Sequence, residues 1–578
     1  MDVMNSTVQP DPYHPLQFIF SWLDYCLFFA MLALSALIGI YFGCFGSKQS
    51  SAREYLIASK SMKVFPVAMS LIASNISGLT IMAAPADIYK YGGNYIWSML
   101  SILLTSLACI YVYMPVFLNL ELVSTYEYLE MRFDRKIRTL ASILFTLQVI
   151  LFNPIIIYLP ALAFSQATGL SVHIIAPTVC LICVFYTTIG GLKAVVWTDT
   201  LQTSSILICL LVVFGLGISV TGGFVNIFNE AHKGHRLDIL DFNLDPTKRD
   251  GFWAFLFGCT VYWMVDISIN QGTMQRLMAV PTINDSKMVI LIFCIGTILI
   301  KAFTTFAGIM MYAKYSKCDP ISSGQVTHSD QILPYFVMDV GGQIPGLPGL
   351  FIAGIFSGAL SSLSTTLNTL SATFYSDFIS YYVPKSITEK QKSNILKLIV
   401  IVAGVVCTLL VFVVERLGGI FQLSITFGGI TAGTLVGLFS LGMLFPSANT
   451  KGALWGGIAG LTISSWMVLG NQWYKHKGLI KDKPLPLSIK NCTFFNATMD
   501  IIEESPEEEP FVMYRITFWY YTIFGTVVVF VVGLLVSRFT EKDNKPIRPE
   551  LFSPVVRNFL SQGKSHVKTG SAVNLNTL

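Results

Sequence analysis

The chain is 578 residues long, 53% hydrophobic and only 12% charged, with a mean hydropathy of +0.63. Soluble globular domains carry about a quarter of their residues as charged side chains, so this composition excludes one and describes an all-α polytopic membrane protein. The net charge of +5 identifies no partner and gives no sign of nucleic-acid binding, because in such a protein the placement of basic residues matters more than their sum.

Residues 1–16 contain no Lys or Arg, so the basic region of a cleaved signal is missing. Asp2, Asp11 and the sequon at Asn5 suit an extracellular N-terminal segment. Apolar runs then predict about thirteen membrane spans within a single transmembrane domain, 17–538. They lie near 17–42, 64–86, 95–124, 137–167, 172–190, 194–219, 252–274, 287–313, 349–379, 396–414, 418–445, 452–472 and 512–537. Residues 539–578 are polar and basic and read as a disordered cytoplasmic tail. With the N-terminus outside, 23 of 38 basic residues fall on the cytoplasmic side, 14 outside, and Lys301 within a span. Most of the outer ones sit in two long loops, where the rule is weak. Sequons at Asn491 and Asn496 fall in the last long loop, which this orientation also puts outside. Cys318 and Cys492 lie in outer loops, where a disulfide is possible but not required.

The second span carries Ser74, Asn75, Ser77 and Gly78 at its centre, residues that loosen a helix and offer oxygens. Non-helical backbone at membrane depth survives only where protein buries it or it lines a cavity, and transporters bind ions and substrate at such breaks. The competing reading is close packing of small residues against a neighbour. The seventh span is interrupted in the same way around 263–272, five spans later, as an inverted five-helix repeat over about 64–219 and 252–445 would require. In the ninth span, Ser357, Ser361, Ser364, Thr365 and Asn368 share one helix face. A hydroxyl stripe that dense is costly in hydrocarbon unless it meets partners, water or a hard cation such as sodium.

Asp199 lies early in a span and is either functional or an interfacial carboxylate. Asp266 and Lys301 are the charges deep in consecutive spans, and mutual pairing is their cheapest arrangement. Lys301 attracting an anionic substrate is the alternative. Asp24 reads as structural. The seven histidines sit in loops or at span ends, and no HExxH, in-span GxSxG or Walker loop occurs, so neither enzyme nor primary pump is expected.

Arg53–Leu56, the broken Ser70–Gly78 stretch, Tyr126–Phe133, Tyr186–Asp199, Asn270–Gln271 with Gln275–Arg276, the Ser357–Asn368 stripe and Leu438–Asn449 together resemble the sodium/solute symporter family over residues 50–470. The segment 441–449 is most similar to the branch of sodium-coupled monocarboxylate, multivitamin and iodide transporters. The resemblance implies a fold of the leucine-transporter type with extra helices and alternating access driven by sodium as coupling ion. It implies a main sodium site from the carbonyls of Ala73, Ile76 and Gly358 and the hydroxyls of Ser361 and Ser362. A second sodium would use Asp199, Ser364 and Thr365, and the solute would lie near Thr80, Trp263, Ile425 and Phe427. The branch has Gly-Pro where this chain has Gly433–Thr434, and the iodide carriers have Gln at the position of Thr80. Asp266 and Lys301 are unusual for the family. The expected activity is plasma-membrane import of a small organic anion, a monocarboxylate such as lactate, pyruvate or a short-chain fatty acid. A biotin- or pantothenate-like vitamin, or a transporter-like sensor or channel, are the alternatives.

Overall fold

A chain this apolar must satisfy its backbone polar groups internally, and helices do so segment by segment. The structure is a computed structural model describing residues 20–41, 60, 62–120, 122, 124–384, 386–416, 420–490, 492, 509–540 and 548–557; Asn5, Asn491 and Asn496 lie outside them. Among the described residues there is helix and no strand. Among the described residues nine helices are long and apolar enough to cross a membrane, and the bent pair Val64–Asn75 with Leu79–Tyr91 makes a tenth. Three shorter apolar helices, Trp22–Ile38, Val172–Thr188 and Ala254–Ile269, stand where the first, fifth and seventh spans are expected. The expected count of thirteen is reached only if these three cross as well, which requires the chain from Val172 to Val220 to cross twice. The fifth and sixth expected spans run together as one helix, Val172–Val220, because no proline after Pro177 stops it.

Leu347–Ile379 is the axis of the bundle: 89% of its most apolar window is buried, against 28% for the outward-facing Val195–Val220. Its start is pinned by Asp24, whose Oδ1 accepts the Gly349 N–H at 2.8 Å while Oδ2 accepts the Ser21 N–H at 2.8 Å. The structural reading of Asp24 follows from those bonds. Its far end is held by Arg138, which pairs with Asp377 at 2.5 Å and Glu130 at 2.7 Å.

Two of the motifs are physically joined. Arg132, expected as a cytoplasmic-side charge, is buried and donates to the carbonyls of Gly442 (3.0 Å), Phe445 (3.1 Å) and Ala448 (3.0 Å). The last carbonyls of a helix have no intrahelical partner, so this guanidinium closes the end of Ile420–Leu444. Beyond it, Asn449 Oδ1 accepts the Gly452 N–H at 2.8 Å and starts Thr450–His476. Ile420–Leu444 runs through Gly433–Thr434 unbroken, as expected without the branch's proline.

Cys318 and Cys492 form a disulfide across 174 residues of sequence. The strand of chain before Cys492 is laid over the same end of the bundle. Leu485 N–H bonds Lys90 O at 2.8 Å, Asp319 N–H bonds Ser488 O at 2.9 Å, and buried Arg236 donates to the carbonyls of Gly234, Pro486 and Tyr89. A non-reduced digest should yield the 318 and 492 peptides linked. Replacing both cysteines by Ala should cost about 2–4 kcal/mol, read as a lower melting temperature in detergent.

Candidate functional site

The first broken helix stops at Asn75 because its own side chains compete for the backbone. Asn75 Nδ2 donates to Leu71 O at 2.9 Å and Ser74 Oγ to Ser70 O at 2.8 Å. Ile76 is extended, with φ −103° and ψ 97°, and its N–H closes the turn on Ile72 O and Ala73 O. The helix resumes at Leu79 bent by 61°. The Ile76 carbonyl faces Gly358, where it would stand 2.8 Å from a Cβ, so only glycine admits this approach without displacement. Ser362 Oγ donates to Ser74 O at 3.1 Å and locks the break against the Leu347–Ile379 helix. The second broken helix has the same construction: Ala254–Ile269 ends at Asn270, whose Oδ1 caps the following helix at Gly272 N–H (2.7 Å).

The hydroxyl stripe is buried along its length but divided in its use. Ser357 and Ser364 bond back to the carbonyls of Ala353 (2.7 Å) and Ser361 (3.0 Å). Ser361 Oγ lies beside Asp199, and it and Asp199 Oδ1 are buried with no other partner. Unfilled buried oxygens beside the Ile76 carbonyl and Ser362 fit a hard cation held by neutral and anionic oxygen. Of the expected main-site residues, Ile76 thus lies against Gly358, and Ser362 is tied to the break through the Ser74 carbonyl.

The second set is used differently. Arg276 was counted with the cytoplasmic charges because the seventh span was expected to end at 274. Here it is 1% exposed and lies between the two broken helices. Its Nε donates to Ser70 Oγ (2.8 Å), and Nη2 reaches Ser74 Oγ (2.8 Å), Thr365 Oγ1 (2.6 Å) and Asp199 Oδ2 (3.1 Å). Asp199 Oδ2 also accepts from Ser70 Oγ at 2.6 Å. Asp199, Ser364 and Thr365 thus do not converge on an open position: a guanidinium holds two of them, and the Ser364 hydroxyl turns to its own helix. The signal for Arg276 was its place after the Asn270 break, where a helix restarts inside the protein.

A cavity of about 130 Å³ opens beside both breaks, lined by Thr80, Trp263 and Ile425 as expected, together with Tyr95, Asp266 and Arg276. Phe427 lines a smaller adjoining cavity of about 40 Å³, which shares Asp266 and Tyr262 with the first. The expected Asp266–Lys301 ion pair is not formed. Lys301 Nζ donates to Tyr95 Oη at 2.7 Å and stands 4.6 Å from the ring centroids of Tyr95 and Trp263. Aromatic faces and a hydroxyl stabilise the ammonium where a carboxylate was expected to. Among the described residues no carboxylate lies within ion-pair distance of it.

Arg276→Met should destabilise the protein by about 3–5 kcal/mol, because Asp199 is left buried without its cation. Adding Asp199→Asn should return most of that loss in thermal melts of the purified protein. Additive losses would show that the two side chains do not act as a pair.

Residues 55–460 match the Sodium:solute symporter family. The chain is 34% identical to mouse sodium-coupled monocarboxylate transporter 2 over 94% of its own length and 88% of that protein. It is 36% identical to Xenopus laevis sodium-coupled monocarboxylate transporter 1 (90% and 85%) and 34% identical to the human sodium/iodide cotransporter (89% and 83%). Its fold superposes on a Na+-coupled sialic acid symporter in a substrate-bound, outward-open state with a TM-score of 0.73 at 24% identity, covering 90% of this chain and 99% of that one. Two broken helices meeting at buried oxygens, within a chain matched over most of its length, place this protein in the sodium:solute symporter family as a multi-pass, sodium-coupled transporter.

Proposed function

We propose that the protein imports a small organic anion, a monocarboxylate such as lactate, pyruvate or a short-chain fatty acid, across the plasma membrane together with sodium. The observation that carries the anion is Lys301. It is an ammonium without a carboxylate, and it donates to a tyrosine hydroxyl that lines the cavity. Because Tyr95 accepts from Lys301, its own O–H remains available to a solute, and the charge behind it strengthens that donor. Sodium occupies the corner made by the carbonyls of Ala73, Ile76 and Gly358 and the hydroxyls of Ser361 and Ser362, and the solute lies against Thr80, Trp263 and Ile425. Ion and solute each stabilise the conformation that the other prefers, so their coupling is reciprocal. The relatives named for monocarboxylates support this solute class.

In the membrane, the two interrupted helices head the two inverted repeats, and the three shorter apolar helices complete thirteen spans. The disulfide supports an extracellular position for the 318 and 492 loops, since such bonds persist in oxidising compartments. An odd number of spans with that face outward puts the N-terminus outside and the C-terminal tail in the cytoplasm.

Uptake of labelled lactate, pyruvate, biotin and glucose into vesicles, with sodium or choline outside, tests the reading. Sodium-dependent uptake of lactate or pyruvate is expected, and its absence with every solute of the panel overturns it. Ser361→Ala with Ser362→Ala should abolish sodium-driven uptake while surface expression is retained. Gly358→Ala should raise the half-saturating sodium concentration at least about tenfold, equivalent to about 1.4 kcal/mol. Unchanged sodium dependence in both variants would put the ion elsewhere.

A further inference from the structure

Lys301 makes one pole of the cavity positive, and the opposite charge is Asp266. Its carboxylate lines both the larger and the smaller cavity. Among the described residues no side chain or backbone group donates to that carboxylate and no cation lies within ion-pair distance. Its backbone carbonyl alone is engaged, by Thr273 Oγ1 at 2.6 Å. Gln148 lines the same two cavities, and its Oε1 is a buried acceptor without a donor. A carboxylate and an amide oxygen on two residues lining the same cavities therefore have no donor. An uncompensated carboxylate at membrane depth is costly, and such groups mark ligand or ion pathways.

The neighbouring cations are already committed. Arg276 spends its donors on Ser70, Ser74, Gly272 O, Thr365 and Asp199. Lys301 is held by Tyr95 and two ring faces. Phe152, Tyr262 and Trp263 are among the residues that line the cavity with Asp266. A hard metal ion wants several oxygens, and among the described residues no group of three or more His, Cys, Asp or Glu side chains assembles anywhere. An alkylated or primary ammonium wants a carboxylate, a second acceptor and aromatic faces, and that is the set present.

Resting on the anion reading above, we propose that among carboxylates the site prefers those that also carry an ammonium: the carboxylate meets the Tyr95 hydroxyl backed by Lys301, and the ammonium rests on Asp266, with Gln148 and the aromatic residues beside it. Trp263 and Asp266 are three residues apart on one helical stretch, a spacing of about 5–6 Å between Cβ atoms. The ring of Trp263, over which Lys301 stands, separates the two poles.

The full chain in vesicles with an inward sodium gradient tests this with matched pairs: propanoate against 3-aminopropanoate, butanoate against 4-aminobutanoate and its trimethylammonio analogue. In the wild type the ammonium-bearing member should inhibit uptake of a labelled carboxylate at an at least about tenfold lower concentration than its plain partner. Asp266→Asn should collapse that preference, and Asp266→Glu, which keeps the charge, should retain it. Should Asp266→Asn fail to reach the membrane, the wild-type ratio and the Glu variant decide the matter. Sodium-driven uptake in which plain carboxylates equal or outcompete their amino partners overturns this assignment and leaves anion symport standing. No sodium-dependent uptake of any member overturns both.

Discussion

A helix that breaks inside a membrane protein strands backbone and side-chain polar groups in a medium that cannot solvate them. The rest of this site depends on how Arg276 answers that constraint. One guanidinium has five donors in a rigid plane, and here they reach hydroxyls of the first broken helix, a carbonyl of the second, Thr365 of the central helix and the carboxylate of Asp199. Four segments far apart in sequence are thereby fixed to one planar group. A lysine in its place would offer a point charge without that fork. The ion pair with Asp199 is buried, so its contribution is less to net stability than to specifying one arrangement of the breaks.

Much of this organisation was legible in the chain itself. The broken second and seventh helices announced themselves through small polar residues in apolar runs, and the hydroxyl face of 357–368 through its period. What could not be read was which partner each polar group takes. Arg276 and Arg132 look like loop charges because an apolar run ends before them, and Arg138 like an interfacial one because a run begins beside it, yet all three are buried ties to segments far away in sequence. The Asp266–Lys301 pairing was the cheapest solution for two isolated charges, and it failed because a tyrosine and two aromatic faces solvate the lysine instead. Hydropathy counts spans by length, so three short helices stay ambiguous, and the boundary expected between 172–190 and 194–219 is one that the backbone does not make.

Ser74 connects the ion corner to the solute cavity. Its carbonyl takes the Ser362 hydroxyl, its side chain takes Arg276 and lies 3.1 Å from Thr365 Oγ1, and it lines the cavity itself. An ion that draws on Ser361 and Ser362 therefore acts on the residue that shapes the floor of the solute space. No long relay is needed between the two sites, because they share a wall. The four charges around the cavity, Asp199 and Arg276 together and Asp266 and Lys301 apart, balance in sum while leaving the cavity polarised from one side to the other.

The two ends of the Ile283–Tyr315 helix are secured by different means. Near Tyr315 the fastening is covalent and main-chain: the 318–492 disulfide, Leu485 on Lys90 and Ser488 on Asp319. At the other end one main-chain bond, Met62 N–H to Ala279 O at 3.1 Å, accompanies the side-chain cluster around Arg276. Backbone bonds and a disulfide do not respond to the arrival or departure of an ion, whereas hydroxyls and carboxylates do. Asp339 also pairs with Lys314 and Tyr315 near the first end, yet that end keeps joints that no ion can displace, while the end at Arg276 is held mostly by groups for which an ion competes.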